Sequence, residues 1–271
     1  MEQHKKQLTT QELYVRKHRL HHRTIGLLRL IVFVLFLGLW ETCSSFGMID
    51  SFFFSSPTLV VRTILTLWTQ NNLPLHIGIT LTETLVSFLL VTLISIMAAC
   101  LLWFCKGFSE VSEPYLVILN SLPKSALAPL FIVWLGTGMK TIIVAGISVA
   151  IFGAIINIYS GFQQTGIEKQ NLIYTLGGNK WQVFSLVVLP NGIPNLLSTM
   201  KVNIGLSLVG VIIGEFLAAR RGLGYLIIYG SQVFKLNLVI SSILILCLIA
   251  FGLYRLIQFA EHLMRKHMHL A

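Results

Sequence analysis

Six apolar runs, at residues 25–40, 81–104, 116–135, 141–159, 195–218 and 238–259, decide what this chain can fold into. A helix that crosses the hydrocarbon core of a bilayer needs about 20 apolar residues at 1.5 Å each. The runs meet or approach that length, so the expected fold is an all-α, polytopic membrane protein with about six transmembrane helices. Composition points the same way. Charged residues are 11% of the 271 and hydrophobic ones 55%, whereas a soluble domain carries roughly 25% charged residues. A free-standing soluble protein is excluded.

The formal charge of +10 could suggest a nucleic-acid partner, but its distribution does not. Lys5, Lys6, Arg16, Lys17, Arg19 and Arg23 precede the first run, and Arg255, Arg265 and Lys266 sit at or beyond the end of the last. They flank spans and form no basic groove with interleaved aromatics, which excludes nucleic acid. Six crossings place both termini on one side, and because both are basic that side is the cytoplasm. Lys106, Lys169 and Lys180 then fall in internal loops, and residues 41–80, with Arg62 alone, fall outside. Arg220, Arg221 and Lys235 are placed outside, against the rule.

The first run has a basic front like that of a secretory signal. Glu41-Thr42-Cys43 follows it in place of a small-residue cleavage site, so it reads as a retained anchor and Cys43 is not a lipoprotein cysteine. A short apolar stretch at 59–68 reads as a helix lying at the external interface. The organisation is therefore a basic segment at 1–24, a first transmembrane helix with an external interfacial segment at 25–74, and a membrane core at 75–265. Cys43, Cys100, Cys105 and Cys247 lie in or beside apolar runs without metal spacing and read as small apolar packers. His21-His22, His267 and His269 sit in charged termini, so no metal site is expected.

The connection at 160–190 departs from a passive loop. Leu172, Ile173 and Leu176 fall on one face of a helical turn, Gly177-Gly178 interrupts, and Trp181 and Phe184 resume at i and i+3. Two short helices joined by a glycine bend would present these side chains together. An apolar knob in water forfeits about 25 cal/mol per Å², so it needs a protein groove or the lipid surface.

Residues 177–190, reading GGNKWQVFSLVVLP, resemble the cytoplasmic Glu-Ala-Ala loop of ABC importer permeases. That signature is a Gly, nine residues, an apolar residue, one more, then Leu-Pro. Gly177, Val187, Leu189 and Pro190 occupy those positions. Asn171, Leu172 and Ile173 stand where the family has Glu-Ala-Ala. The resemblance implies a type I importer permease fold and a coupling helix seated in a groove of an ATPase subunit. Leu172, Ile173, Leu176, Gly177, Gly178, Trp181, Val187, Leu189 and Pro190 would be the coupling residues.

Residues 122–138, LPKSALAPLFIVWLGTG, resemble the third span of the subfamily importing sulfonates, taurine, nitrate and related small molecules. Pro123 and Pro129 each remove a helix hydrogen bond and should break or kink that span, which is tolerated where backbone lines a cavity. Gly214-Glu215-Phe216-Leu217 with Gly222-Leu223-Gly224-Tyr225-Leu226 resembles the subfamily's outer end of span five and its re-entrant turn. The second span reads LTETLVSF, with Glu83 and Ser87 near positions where an arginine and a glycine are usual. Pro123, Pro129 and Glu215 are the candidate pathway or gate residues.

Charges inside spans are functional candidates. Lys201 is expected to snorkel to water. Glu215 either accepts hydrogen bonds from a neighbouring helix or pairs locally with Arg220 or Arg221. No G-x-x-x-x-G-K-[ST] motif occurs, so ATP and magnesium belong to a partner ATPase and this chain needs no cofactor of its own. The resemblance implies a homodimer, two ATPase subunits, an external binding protein and a small polar solute, in a bacterial cell membrane. Two alternatives stay open on residues alone: a cation- or proton-coupled secondary transporter using Glu83 or Glu215, and a membrane-bound enzyme.

Overall fold

The computed structural model describes residues 10–70 and 72–267. Lys5, Lys6 and His269 lie outside them. The described residues form two units, 1–63 and 64–271, with the division inside a helix.

In the first unit, α1 (Thr10–Ser45) carries the apolar stretch Thr24–Ser45, long enough to cross a membrane and, among its described side chains, buried only at Ser44. Next come α2 (Ser51–Phe54) and the start of α3 (Pro57–Gln70). Glu41 holds that start, its carboxylate accepting from the Thr58 amide at 3.1 Å and the Thr58 hydroxyl at 2.9 Å. A negative side chain at a helix N-terminus satisfies donors that would otherwise be orphaned.

The second unit contains α4 (Leu73–Phe104), α5 (Lys106–Ser121), α6 (Lys124–Leu135) and α7 (Met139–Gln163). Then come α8 (Ile167–Thr175), α9 (Lys180–Val183), a π-helical turn at Phe184–Val188, α10 (Leu189–Ala218), α11 (Leu223–Gln232) and α12 (Leu236–His267). Among the described residues five helices are long and apolar enough to span, and six if the bent pair α5–α6 counts as one. The fold is all-helical, with the expected spans.

α7 and α10 form the centre. They approach closely because small residues face each other: a Cβ on Gly210 would stand 2.7 Å from Gly146 Cα and 2.8 Å from the Ala145 carbonyl. Without a hydrophobic drive between helices in lipid, such backbone-to-backbone packing is what holds spans together. α4 lies along both, placing Val91 with Ala150 and Ala154, and α11 and α12 close the other side through Leu223, Leu226, Leu238 and Leu246.

α5 and α6 both pack on α7. Ser109 accepts from the Tyr159 hydroxyl at 2.9 Å, Lys124 lies 4.9 Å over the Phe152 ring, and Ile132 packs in the cluster of Ile142. The chain bends by 94° between them. Pro123 sits at this break. Pro129 does not break the chain again but stays inside the continuous α6.

Candidate functional site

The connection after α7 folds as the two short helices expected, and the glycines explain why. α8 ends in a Schellman motif: the Gly178 amide donates to the Ile173 carbonyl at 2.8 Å and the Gly177 amide to the Tyr174 carbonyl at 3.0 Å. Gly177 has φ +81, where a side chain is strained, and a Cβ on Gly178 would meet Ile173 Cγ2 at 2.5 Å. α9 then opens on a capping box. Asn179 Oδ1 accepts from the Gln182 amide at 2.9 Å, and Gln182 Oε1 accepts from the Asn179 amide at 2.8 Å.

This pair of caps divides the apolar residues into two sets. Leu172 (60% exposed), Leu176 (75%) and Trp181 (63%) form the outward knob. Phe184, expected with them, is buried instead against Trp103, Phe104 and Phe162, and Ile173 packs inward on the same cluster. The reason is the π-helical turn: the Leu189 amide reaches back five residues to the Phe184 carbonyl, widening the turn and swinging Phe184 and Val188 inward. Pro190, second in α10, has no amide to give. Val187 and Leu189 are half-buried and Pro190 is exposed.

The elbow is fastened at its far side. Lys180 Nζ donates to the Phe104 carbonyl at 2.6 Å and stands 5.5 Å over the Trp103 ring, a cation on the C-terminal carbonyls of α4. Trp181 stacks on Phe104 at 5.9 Å. Sequence reasoning assigned Lys180 to topology alone.

A second polar cluster lies at the opposite end of the spans. Glu215 is fully buried, accepting from the Thr80 hydroxyl at 2.7 Å and from the Gly224 amide at 2.5 Å. Thr80 in turn accepts from the Leu223 amide at 2.9 Å, and His76 Nδ1 accepts from the Gly222 amide at 3.0 Å. Of the two partners left open for Glu215, the structure chooses the neighbouring helix. Arg220 and Arg221 are exposed, and no ion pair joins them to Glu215 among the described residues. Glu83, 2% exposed, is buried on the same helix as Thr80, its Oε2 without a hydrogen bond. Gly222, at φ +118, lets the backbone run against the Glu215 carboxylate where a Cβ would overlap it. The cluster fixes the turn between α10 and α11.

Lys201, expected to reach toward water, has an unanticipated partner. Its ammonium lies 2.6 Å from Glu261 of α12, joining α10 to α12. The inventory of charged residues inside spans passed over Glu261 because it stands past the apolar run that defined span six. Cys43 and Cys100 are half-buried as packers, whereas Cys105 and Cys247 are exposed. Among the described residues no group of three or more His, Cys, Asp or Glu is placed to hold a metal.

Residues 91–266 match the family model described as "Binding-protein-dependent transport system inner membrane component". The chain belongs to that family. It is a multi-pass inner-membrane permease subunit of a binding-protein-dependent ABC importer, not an enzyme and not itself the ATPase. A probable ABC transporter permease of Haemophilus influenzae is 30% identical to this permease over 237 residues, 86% of this chain and 94% of the other. The formylaminopyrimidine transport permease ThiX of Halalkalibacterium halodurans is 26% identical, over 72% of this chain and 77% of its own. The putative aliphatic sulfonates permease SsuC of Bacillus subtilis is 25% identical, over 79% and 77%. Among solved structures, the inward-facing MetNI methionine ABC transporter superposes with TM-score 0.59 at 17% identity, covering 71% of this chain and 94% of that one. The permease thus shares that fold.

Proposed function

We propose that this permease works as a homodimer whose α8–α9 elbows each seat in a groove of one ATPase subunit, so that ATP-driven closure of the ATPase pair moves the spans. The observation that carries this reading is the knob of Leu172, Leu176 and Trp181, apolar, exposed and set across the junction where a Schellman motif closes α8 and a capping box opens α9. Gly177, Gly178, Val187, Leu189 and Pro190 shape the elbow, and Ile173 seats it. Surface of this kind needs a partner, and a bend fixed by two consecutive caps reduces the freedom that docking would otherwise have to freeze out.

The elbow then faces the cytoplasm, together with the ends of α4 and α12. Six crossings bring the N-terminus to the same side, leaving Arg220, Arg221 and Lys235 outside. The break at Pro123, the adjoining helix with Pro129, and the Glu215 cluster line or close the path. The solute is small and polar, handed over by an external binding protein; sulfonates, taurine, nitrate and related molecules are the candidates. The relatives include both an aliphatic sulfonates permease and a formylaminopyrimidine permease.

Co-purification from the native membrane with uptake in proteoliposomes tests the reading. An ATPase subunit should accompany the permease, and uptake should need ATP and the binding protein. Uptake driven by an ion gradient with no ATPase present would overturn it.

A further inference from the structure

The break between α5 and α6 carries a charge, and its depth can be read from α7. Lys124 lies over Phe152, which is 13 residues from Met139 and 11 from Gln163, the ends of α7. At 1.5 Å per residue that is about 20 Å from one end and about 17 Å from the other. The neighbouring contacts run in the same order, with Ser109 bonded to Tyr159 below it, Asn120 beside Gly153, and Ile132 above, packed on the cluster of Ile142, Val211 and Ala218. Lys124 is therefore a cation near the middle of the membrane, too deep for its side chain to reach either surface.

A lysine at that depth is costly facing hydrocarbon and is found facing a water-filled cavity, a counter-charge or backbone carbonyls. No carboxylate pairs with Lys124 among the described residues. Its ammonium donates to the Leu119 carbonyl and rests on the Phe152 ring, which leaves donors over. The backbone beside it is non-helical at Leu122 and Pro123. Irregular backbone at membrane depth is tolerated only inside protein or along a water-filled cavity. Ser121 and Ser125, on either side of the break, are exposed in the subunit. Polar side chains, spare donors and open backbone converge there on one unpaired positive charge.

We propose that Lys124 is the charge-selecting residue of the solute path, favouring solutes that carry an anionic group such as a sulfonate or carboxylate. This rests on the permease reading above. It adds the residue and the charge class.

The test uses the full complex with ATPase and binding protein, reconstituted in lipid. Ser125→Cys is modified with 2-sulfonatoethyl methanethiosulfonate, an anion, and with the trimethylammonium ethyl analogue, a cation. The chain without Ser125→Cys gives the background from Cys43, Cys100, Cys105 and Cys247. The anionic reagent should react preferentially. Adding Lys124→Gln should lower the anion-to-cation rate ratio roughly tenfold, the size expected for one unit charge a few ångströms away in a partly aqueous path, while Lys124→Arg should keep it. Ser121→Cys serves as a second reporter should Ser125→Cys fail to assemble. No modification above background at either position, or a ratio indifferent to Lys124→Gln, overturns the proposal. Recovery of the ATPase and ATP-dependent uptake are scored on the same preparations, so failure of the permease reading shows as a missing ATPase and not as an altered ratio.

Discussion

Glu215 shows how one fully buried residue can hold a turn. Its two oxygens take a hydroxyl from α4 and an amide from α11, and Thr80 passes the bonding on to the Leu223 amide. Replacing Thr80 by Val keeps the shape but strands that amide and one carboxylate oxygen. Each buried group left unpaired costs about 1–3 kcal/mol, so Thr80→Val should lower the melting temperature of the purified permease clearly. Thr82→Val, which loses only a bond to its own helix on an exposed face, should leave it nearly unchanged. Gly222→Ala should be at least as harmful. It combines about 1–3 kcal/mol of backbone strain with an overlap on the Glu215 carboxylate that has nowhere to move. Thermal unfolding in one detergent checks all three. Equal melting of Thr80→Val and Thr82→Val would show that the cluster does not brace the turn.

Two elements carry distinct demands. The crossing of α7 and α10 needs glycine at 210, where a Cβ would meet the backbone of Ala145 and Gly146, and at 146, where it would meet Ser87 of α4 and Val211, whereas Gly205 on the same α10 has open space around it. Overpacking a tight contact costs typically 1–3 kcal/mol. Gly210→Leu should therefore reduce the monodisperse yield, and Gly205→Leu should not; size-exclusion profiles decide. The elbow needs its turn more than any one bond. Gly177→Asp puts a side chain at φ +81 and a negative charge at the C-terminal end of α8, both unfavourable. It should abolish recovery of the ATPase in a pull-down while the subunit still inserts in the membrane. Undiminished recovery would count against docking at this element.

At the scale of the whole molecule, native mass spectrometry of the purified complex should give two permease subunits to two ATPase subunits, and ATP hydrolysis should vanish when the ATPase is stripped away. A single permease per complex would refute the homodimer. Much of this architecture was legible in the chain because span length is a one-dimensional property and Gly177 to Pro190 has a fixed spacing. The elbow's inner seat was not. Ile173 and Phe184 carry the same hydrophobic signal as Leu172 and Trp181; the glycine junction after α8 and the π-helical turn, which has no residue signature, together sort them into inward and outward sets. The Glu215 cluster was half legible. A buried carboxylate announces itself, but Thr80 stands 135 positions away and looks like any span threonine. The partner of Lys201 was hidden for a related reason, since Glu261 lies beyond the apolar run where a partner would be sought.

The latch of Lys180 on the last carbonyls of α4 has a mechanical consequence. The elbow is continuous with α10 through its π-helical turn and clamped to α4 by an ammonium and a stacked indole. A force on the knob cannot pull one rod without the other. It works as a crank on two shafts, and the far ends of those shafts, Thr80 and Glu215, are bolted together.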